Sequence, residues 1–345
     1  MPFSRSGGRL SKTTGCWIIL SVFILLLAAC GTPSTDSQNL TPLHVVEVTH
    51  SLFYAPQYVA IQQGFFEEEG IDLTLSDGAG GDKTMAMLLS DNADIALVGA
   101  ETGIYVNARG AQDPVVAFAQ LTQTDGTFLV SRQPIDSFEW DDLKGKTLLG
   151  QRKGGMPQMV SEYVQRKNGL DPRQDLTTIQ NVDFNNLGSA FVSGTGDFAQ
   201  LFEPVASKIE QEGKGYVVAS FGKDSGRLPY TVYLTKEGTI HRDPELMERF
   251  VRALYKGQRW VDTHTPEEIA DEVESFFPDT DRTIVVQVLE RYQEQGSWAT
   301  DPVIDLEEYD RLLEVMDQAG ELPSRLPFAD VIRTDIAEKV TKEIR

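Results

Sequence analysis

The distribution of apolar residues divides the 345-residue chain into stretches of different character. Cys16 to Ala29 is apolar except for Ser21, and Arg5, Arg9 and Lys12 precede it without an acidic residue. This run is about two-thirds of the ~20 residues that span a bilayer. Its basic start and small-residue end predict a secretion signal over residues 1–29. Gly31 to Pro42 is polar, so residues 30–42 read as a flexible tether. From His44 the pattern alternates strand and helix: strands at His44–Val48, Ile71–Leu75, Ile95–Val98, Val115–Gln120 and Phe128–Ser131, with helices at Ala55–Gln63, Asp82–Leu89 and Thr102–Ala108 between them. A second set follows, with strands at Thr147–Leu149, Thr177–Gln180, Phe198–Leu201, Tyr216–Ala219 and Thr231–Leu234 and a helix at Met156–Lys167. From Pro244 onward the spacing is helical throughout. Such alternation predicts an α/β fold with largely parallel sheets covered on both faces. The simplest assembly has two lobes: residues 43–128 form lobe one, 129–224 form lobe two, and 225–345 return to lobe one and end in helices packed on it. The crossovers fall near Phe128–Arg132 and Lys223–Tyr230.

Charge and rare residues narrow the chemistry. A net charge of −21, concentrated after the basic leader, argues against nucleic acid. It leaves an anionic small ligand open, because a local potential can oppose the net charge. The two cysteines are Cys16, inside the leader, and Cys30, so the remaining chain offers neither a disulfide nor a thiol nucleophile. His44, His50, His241 and His264 are not spaced as metal ligands, and each reads as structural or surface. No nucleophile elbow or phosphate loop is present. The expectation is a binding protein, not an enzyme, with no metal or cofactor. Glu47, Glu67, Glu68 and Glu69 read as solvated surface acids.

Ligands of doubly wound sheets sit outside the carboxyl ends of the strands, which makes the loops after each strand the candidates. Phe53 and Tyr54 either stack on a flat ring or pack the first helix. Gly99, Ala100 and Glu101 open a helix with unpaired N–H groups. There Gly99 and Ala100 offer backbone contacts, and Glu101 touches the ligand or complements the helix dipole. Gln120 offers an amide to a heterocycle edge or to a neighbouring loop, and Asp125-Gly126 reads as hinge and turn. In lobe two, Lys153-Gly154-Gly155-Met156 precedes Pro157 at a helix start. The glycines allow close approach, and Lys153 either supplies positive charge to an anionic ligand or stands on the surface. Glu203, held extended by Pro204, accepts bonds from ring N–H groups or simply begins a helix. Tyr230 lies on the second crossover beside Pro229 and can face the cleft. Phe184 and Asn185 are secondary candidates.

Two resemblances sharpen these readings. Leu27-Ala28-Ala29-Cys30-Gly31 resembles the lipobox of bacterial lipoproteins, which implies a diacylglyceryl group on Cys30 and attachment to a membrane through the acyl chains. Ser51-Leu52-Phe53-Tyr54-Ala55-Pro56-Gln57-Tyr58-Val59-Ala60 and Gly64-Phe65-Phe66-Glu67-Glu68-Glu69-Gly70-Ile71 resemble the substrate-binding proteins of ABC importers for taurine, sulfonates, nitrate and thiamine-type pyrimidines. Asp94-Ile95-Ala96, Gly99-Ala100-Glu101, Asp142-Leu143-Lys144-Gly145-Lys146 and Leu201-Phe202-Glu203-Pro204 continue the resemblance in order. It implies a type II periplasmic-binding-protein fold, an extracytoplasmic monomer that closes on one small molecule, and permease subunits as partners. The aromatic candidates favour a pyrimidine- or flavin-like nitrogen heterocycle. The alternatives are a sulfonate, nitrate or other small anion, an extracellular enzyme with a cryptic site, and a ligand-sensing domain of a surface receptor.

Overall fold

The computed structural model describes residues 40–344; the expected leader, Cys30 and the polar segment through Asn39 lie outside the described residues. Ten strands form two five-stranded sheets. The first has the order β2-β1-β3-β10-β4, from β1 (Thr41–Glu47), β2 (Ile71–Asp77), β3 (Ile95–Gly99), β4 (Val115–Thr122) and β10 (Thr231–Lys236). The second has the order β7-β6-β8-β5-β9, from β5 (Thr127–Ser131), β6 (Thr147–Leu149), β7 (Thr177–Ile179), β8 (Phe198–Phe202) and β9 (Tyr216–Ser220). Each sheet is the centre of one lobe. Strands such as β4 (VVAFAQLT) and β5 (TFLVS) are buried along their whole length, as expected where helices cover both faces.

The sheets are mixed rather than largely parallel. β10 runs antiparallel to β3 and β4, and β5 runs antiparallel to β8 and β9. In each sheet the reversed strand is the one that has just arrived from the other lobe, so the chain enters against the grain of the parallel strands. The first crossing is Gln123–Gly126, not Phe128–Arg132, because Phe128 to Ser131 is already paired with β8 and β9. The second crossing ends at Tyr230, ahead of β10.

The tether is shorter than its polarity suggested, since Thr41 and Pro42 belong to β1. Thr41 N–H donates to the Gly70 carbonyl at 2.8 Å. Pro42, next along, turns its missing N–H toward β3, which pairs with β1 only from Val45 onward. A proline is tolerated where the ladder is open.

The C-terminal helices do not all pack on lobe one. Helix Pro244–Thr263 lies on helix Ala55–Gln62 of that lobe, so closely that a Cβ at Gly257 would stand 2.8 Å from the Ala60 Cβ and closer still to the Pro56 carbonyl. Helix Arg282–Gln295 instead contacts both the Leu52–Tyr54 turn and helix Val205–Gln211 of lobe two, and helix Leu306–Ala319 packs on helix Met156–Lys167 of lobe two. Between and after these helices, Ser297, Pro302 and Val331 accept backbone bonds from Gln123, Gln120 and Ala117, covering the outer edge of β4. Helical spacing reports that a face is buried, not which lobe it meets.

Candidate ligand-binding site

The turn after β1 brings the aromatic candidates to the seam between the lobes. Ser51 caps the short helix Leu52–Tyr54 by accepting the Phe53 N–H at 3.2 Å. Phe53 is only 1% exposed, with its ring centroid 5.7 Å from Tyr54, 5.7 Å from Tyr230, 5.0 Å from Tyr292 and 6.1 Å from Phe202 of lobe two. Gly126 is required here, because a Cβ would stand 2.8 Å from the Phe53 ring. The Tyr292 hydroxyl donates to the Gly126 carbonyl at 3.1 Å and Trp298 Nε1 to the Phe53 carbonyl at 3.0 Å, fixing both chain segments.

A buried polar path runs beside these rings. Asp125 Oδ1 accepts the Thr127 N–H at 2.6 Å and also the Thr127 hydroxyl. Gln200 Nε2, on β8, donates to Thr127 Oγ1 and to the Pro157 carbonyl, both at 2.8 Å. Next to Pro157, the Met156 N–H donates across the seam to Glu101 Oε1 of lobe one at 3.2 Å. Four atoms on and beside this path have no hydrogen-bond partner among the described residues: Glu101 Oε2, Asp125 Oδ2, Gln200 Oε1 and the Tyr230 hydroxyl. Tyr230 faces Asp125 without a bond of good geometry, and a small rotation would join them. Glu101 and Gln200 would still lack a donor. An unmade bond at a buried polar atom costs about 1–3 kcal/mol. Burial pushes the Glu101 carboxyl up to about 7 and that of Asp125 up to about 6.

A cavity of about 470 Å³ opens beside this path. His50 and Ser51 line it from lobe one, and Phe184, Asn185 and Phe202 from lobe two. Gln151 joins cavity and path, since it lines the one while its Nε2 donates to the Gln200 carbonyl at 2.9 Å. Glu47 is not a solvated acid: it is buried under His50 and accepts from Gln57 at 3.0 Å and from Tyr58 at 2.8 Å, with His50 Nδ1 at 2.7 Å. Burial raises its carboxyl, and the Glu47 contact raises the imidazole. Glu69 is also engaged, with Arg252 at 3.1 Å and Lys256 at 2.8 Å.

The remaining candidates divide. Ala100 N–H donates to the Tyr230 carbonyl at 3.2 Å, and the missing Cβ of Gly99 leaves room for Glu101 to fold back over it. The Gly154 carbonyl accepts the Tyr105 hydroxyl from lobe one at 3.1 Å, and Gly155 is the N-cap of helix Met156–Lys167. Lys153 points away, 69% exposed and 3.4 Å from Glu321. Gln120 lies against the C-terminal segment, donating to the Val303 carbonyl at 2.7 Å and to Glu308 at 3.2 Å. Glu203 has both oxygens occupied, one by the Ser207 N–H at 2.8 Å and the other by the Ser207 hydroxyl at 2.9 Å and Arg291 at 2.8 Å. Gln151, Gln200 and Thr127 went unsingled in the sequence. Gln200 had a signal, a polar residue centred in the apolar strand FAQLF.

Comparison with known proteins gives this geometry a family. The NMT1/THI5-like family pattern matches residues 53–269, which begins inside the Leu52–Tyr54 turn and includes both crossings and the sheet of lobe two. The chain belongs to the NMT1/THI5-like family. Within reach of that family, it is 51% identical over 324 residues to YtlA of Bacillus subtilis (strain 168), provisionally named a binding protein, covering 94% of this chain and 96% of the other. It is 26% identical over 283 residues to a formylaminopyrimidine-binding protein of Halalkalibacterium halodurans, covering 76% of this chain and 80% of that one. Among solved structures, the alkanesulfonate-binding protein SsuA of Xanthomonas axonopodis pv. citri, bound to MOPS, superposes with a TM-score of 0.67 at 15% identity, covering 85% of this chain and 98% of that one. The fold of this NMT1/THI5-like chain is accordingly the two-lobed type II periplasmic-binding-protein fold, with a helical C-terminal region.

Proposed function

We propose that this chain is the extracytoplasmic solute-binding component of an ABC importer, held at the membrane by a lipid on Cys30. It captures a small nitrogen heterocycle between its lobes and hands it unchanged to permease subunits. The observation that carries this reading is the seam itself. Rings from both lobes surround Phe53, and beside them Glu101 Oε2 of lobe one and Gln200 Oε1 of lobe two have no donor among the described residues, with the Asp125–Tyr230 pair of the two crossings between the lobes. A solute reaching all of them touches both lobes only when these are shut, so its binding free energy shifts the population toward closure. The formylaminopyrimidine-binding relative supports a heterocycle.

The rival reading is a small anion, favoured by the likeness to a sulfonate-binding protein. Lys153, the positive residue expected to meet an anion, is exposed beside Glu321, and of the lysines that line the cavity Lys208 donates to Thr280 at 3.2 Å and Lys214 pairs with Glu212. A thermal-shift screen of pyrimidines, flavins, sulfonates and nitrate on the purified protein tests the proposal. A solute at 100 times its dissociation constant adds about 2.7 kcal/mol of stability. Stabilisation by heterocycles supports the reading, stabilisation by sulfonates or nitrate alone supports the rival, and chemical conversion of the captured compound would point to an enzyme.

A further inference from the structure

Resting on the reading that the seam is the solute site, we propose that the solute is a cation rich in N–H donors, an amidinium or a protonated amino-heterocycle, gripped between Glu101 and Asp125. Both carboxyls are buried, at 5% and 0% exposure, and neither has a salt bridge among the described residues. The nearby cations have other partners: Lys153 with Glu321, Arg152 with Asp82, Arg291 with Glu203 and Glu210, and, lining the cavity, Lys208 with Thr280 and Lys214 with Glu212. The other unpartnered groups of the seam are the Gln200 carbonyl oxygen, which only accepts, and the Tyr230 hydroxyl. A surplus of acceptors calls for a solute with a surplus of donors.

Glu101 also settles where an anion would have to go. The start of helix Met156–Lys167 has Gly155 as its N-cap and no side-chain cap, the arrangement that binds anions. Glu101 reaches over from lobe one and takes that place, bonding Met156 N–H with one oxygen and leaving the other free. The room for this is made by Gly99, where a Cβ would overlap Glu101 Oε2. The chain thus carries its own anion at the helix start and presents its spare lone pairs to the solute. The faces of Phe53, Tyr54 and Tyr230 complete a surround suited to a delocalised cation.

Burial raises both carboxyls, Glu101 to about 7 and Asp125 to about 6, so both take up protons on the acid side of neutrality, whereas a cation needs them ionised. Binding should therefore expel protons and strengthen as pH rises. The other titratable groups facing the pair are Asp82 beside Glu101 and the hydroxyls of Tyr54, Tyr105, Tyr230 and Tyr292, which burial keeps neutral over this range.

The test uses the full chain in detergent with four probes: benzamidine and 4-aminopyridine as cations, benzamide as a neutral isostere, and benzoate as an anion. Calorimetry at pH 5.5 and pH 8 is run on the wild type, Glu101→Gln and Asp125→Asn, with circular dichroism to confirm folding. The expected result is binding of the cations, on the order of 100-fold tighter at pH 8 than at pH 5.5. Proton release should accompany it, and each variant should lose about tenfold or more in affinity. Preference for benzamide or benzoate overturns the proposal, as does cation binding unmoved by pH and by both variants. Mass spectrometry of small molecules released by denaturing the purified protein separates the two levels of the account. A neutral or anionic compound overturns the cation and leaves the solute reading standing; a cation retained by the wild type and lost from Asp125→Asn supports both. No probe bound and no compound released removes both.

Discussion

Two buried acidic sites flank Phe202 and are finished in opposite ways. In lobe two, Glu203 gives one oxygen to the Ser207 N–H and the other to the Ser207 hydroxyl and Arg291, and Arg291 goes on to Glu210. At the seam, Glu101 Oε2 has no donor among the described residues, Asp125 Oδ2 has only the Tyr230 hydroxyl facing it, and neither carboxyl has a salt bridge there. The first arrangement is complete within the chain and holds the start of helix Val205–Gln211 to helix Arg282–Gln295. The second draws on both lobes and, on the proposed reading, is completed by a solute. An acid before a proline and an acid at a helix start look alike in sequence; their partners in space tell structure from binding.

This contrast can be broken from either side. A loss of stability is expected at the satisfied site. Glu203→Ala leaves the Arg291 guanidinium half-buried with one partner gone, and should cost about 3–5 kcal/mol of stability in urea unfolding. A loss below 1 kcal/mol would mean that the network is not structural.

At the unsatisfied site the sign reverses. The Asp125 and Glu101 carboxyls titrate in the folded state near 6 and 7, above their ordinary values, because burial disfavours the charged form. Their contribution is favourable at low pH, where the fold holds the protons more tightly than the unfolded chain. It is lost as pH rises from about 4 to about 7, by up to about 3 kcal/mol for each group. The solute-free protein with Glu101→Gln and Asp125→Asn combined should therefore gain stability over the wild type at pH 8 and lose that advantage at pH 4. Equal differences at the two pH values would refute uncompensated burial.

Gly126→Ala tests the joint between rings and path. Its methyl would press on Phe53, and overpacking of this kind costs about 1–3 kcal/mol. Solute-induced stabilisation should vanish with it, and a variant that binds normally would show that Phe53 does not border the solute. The smallest effect belongs to Lys153→Ala. This exposed residue should change stability by less than about 0.5 kcal/mol and leave solute affinity unchanged, whereas a large loss of affinity would bring the anion reading back.

Much of the fold was legible because burial leaves a period. Strands β4 and β5 read as continuous apolar runs, and helix Pro244–Thr263 shows Leu246, Phe250, Leu254 and Val261 on one buried face. What the pattern could not carry was direction and destination. Nothing in the composition of β5 or β10 says that they run antiparallel, since that follows from where the chain crosses. Nor does the spacing of Leu306–Ala319 say which lobe receives its face. Of the residues now proposed for the site, the sequence singled out those that a special neighbour marked: Phe53 and Tyr54 before Pro56, Glu101 after Gly99, and Tyr230 after Pro229. Gln200 and Thr127 acquire their meaning from partners remote in sequence, at Pro157 and Asp125 on other elements. Glu203 and Lys153 had suitable chemistry, and only the positions of Arg291 and Glu321 showed where it is spent.

The most direct test is a crystal structure of the protein with the small molecule that stabilises it most. The account predicts density between Phe53 and the Glu101–Asp125 pair, with donors about 2.6–3.2 Å from Glu101 Oε2 and Asp125 Oδ2 and both lobes in contact with the solute. A solute seated elsewhere, or held by one lobe alone while those oxygens stay unpartnered, would contradict it.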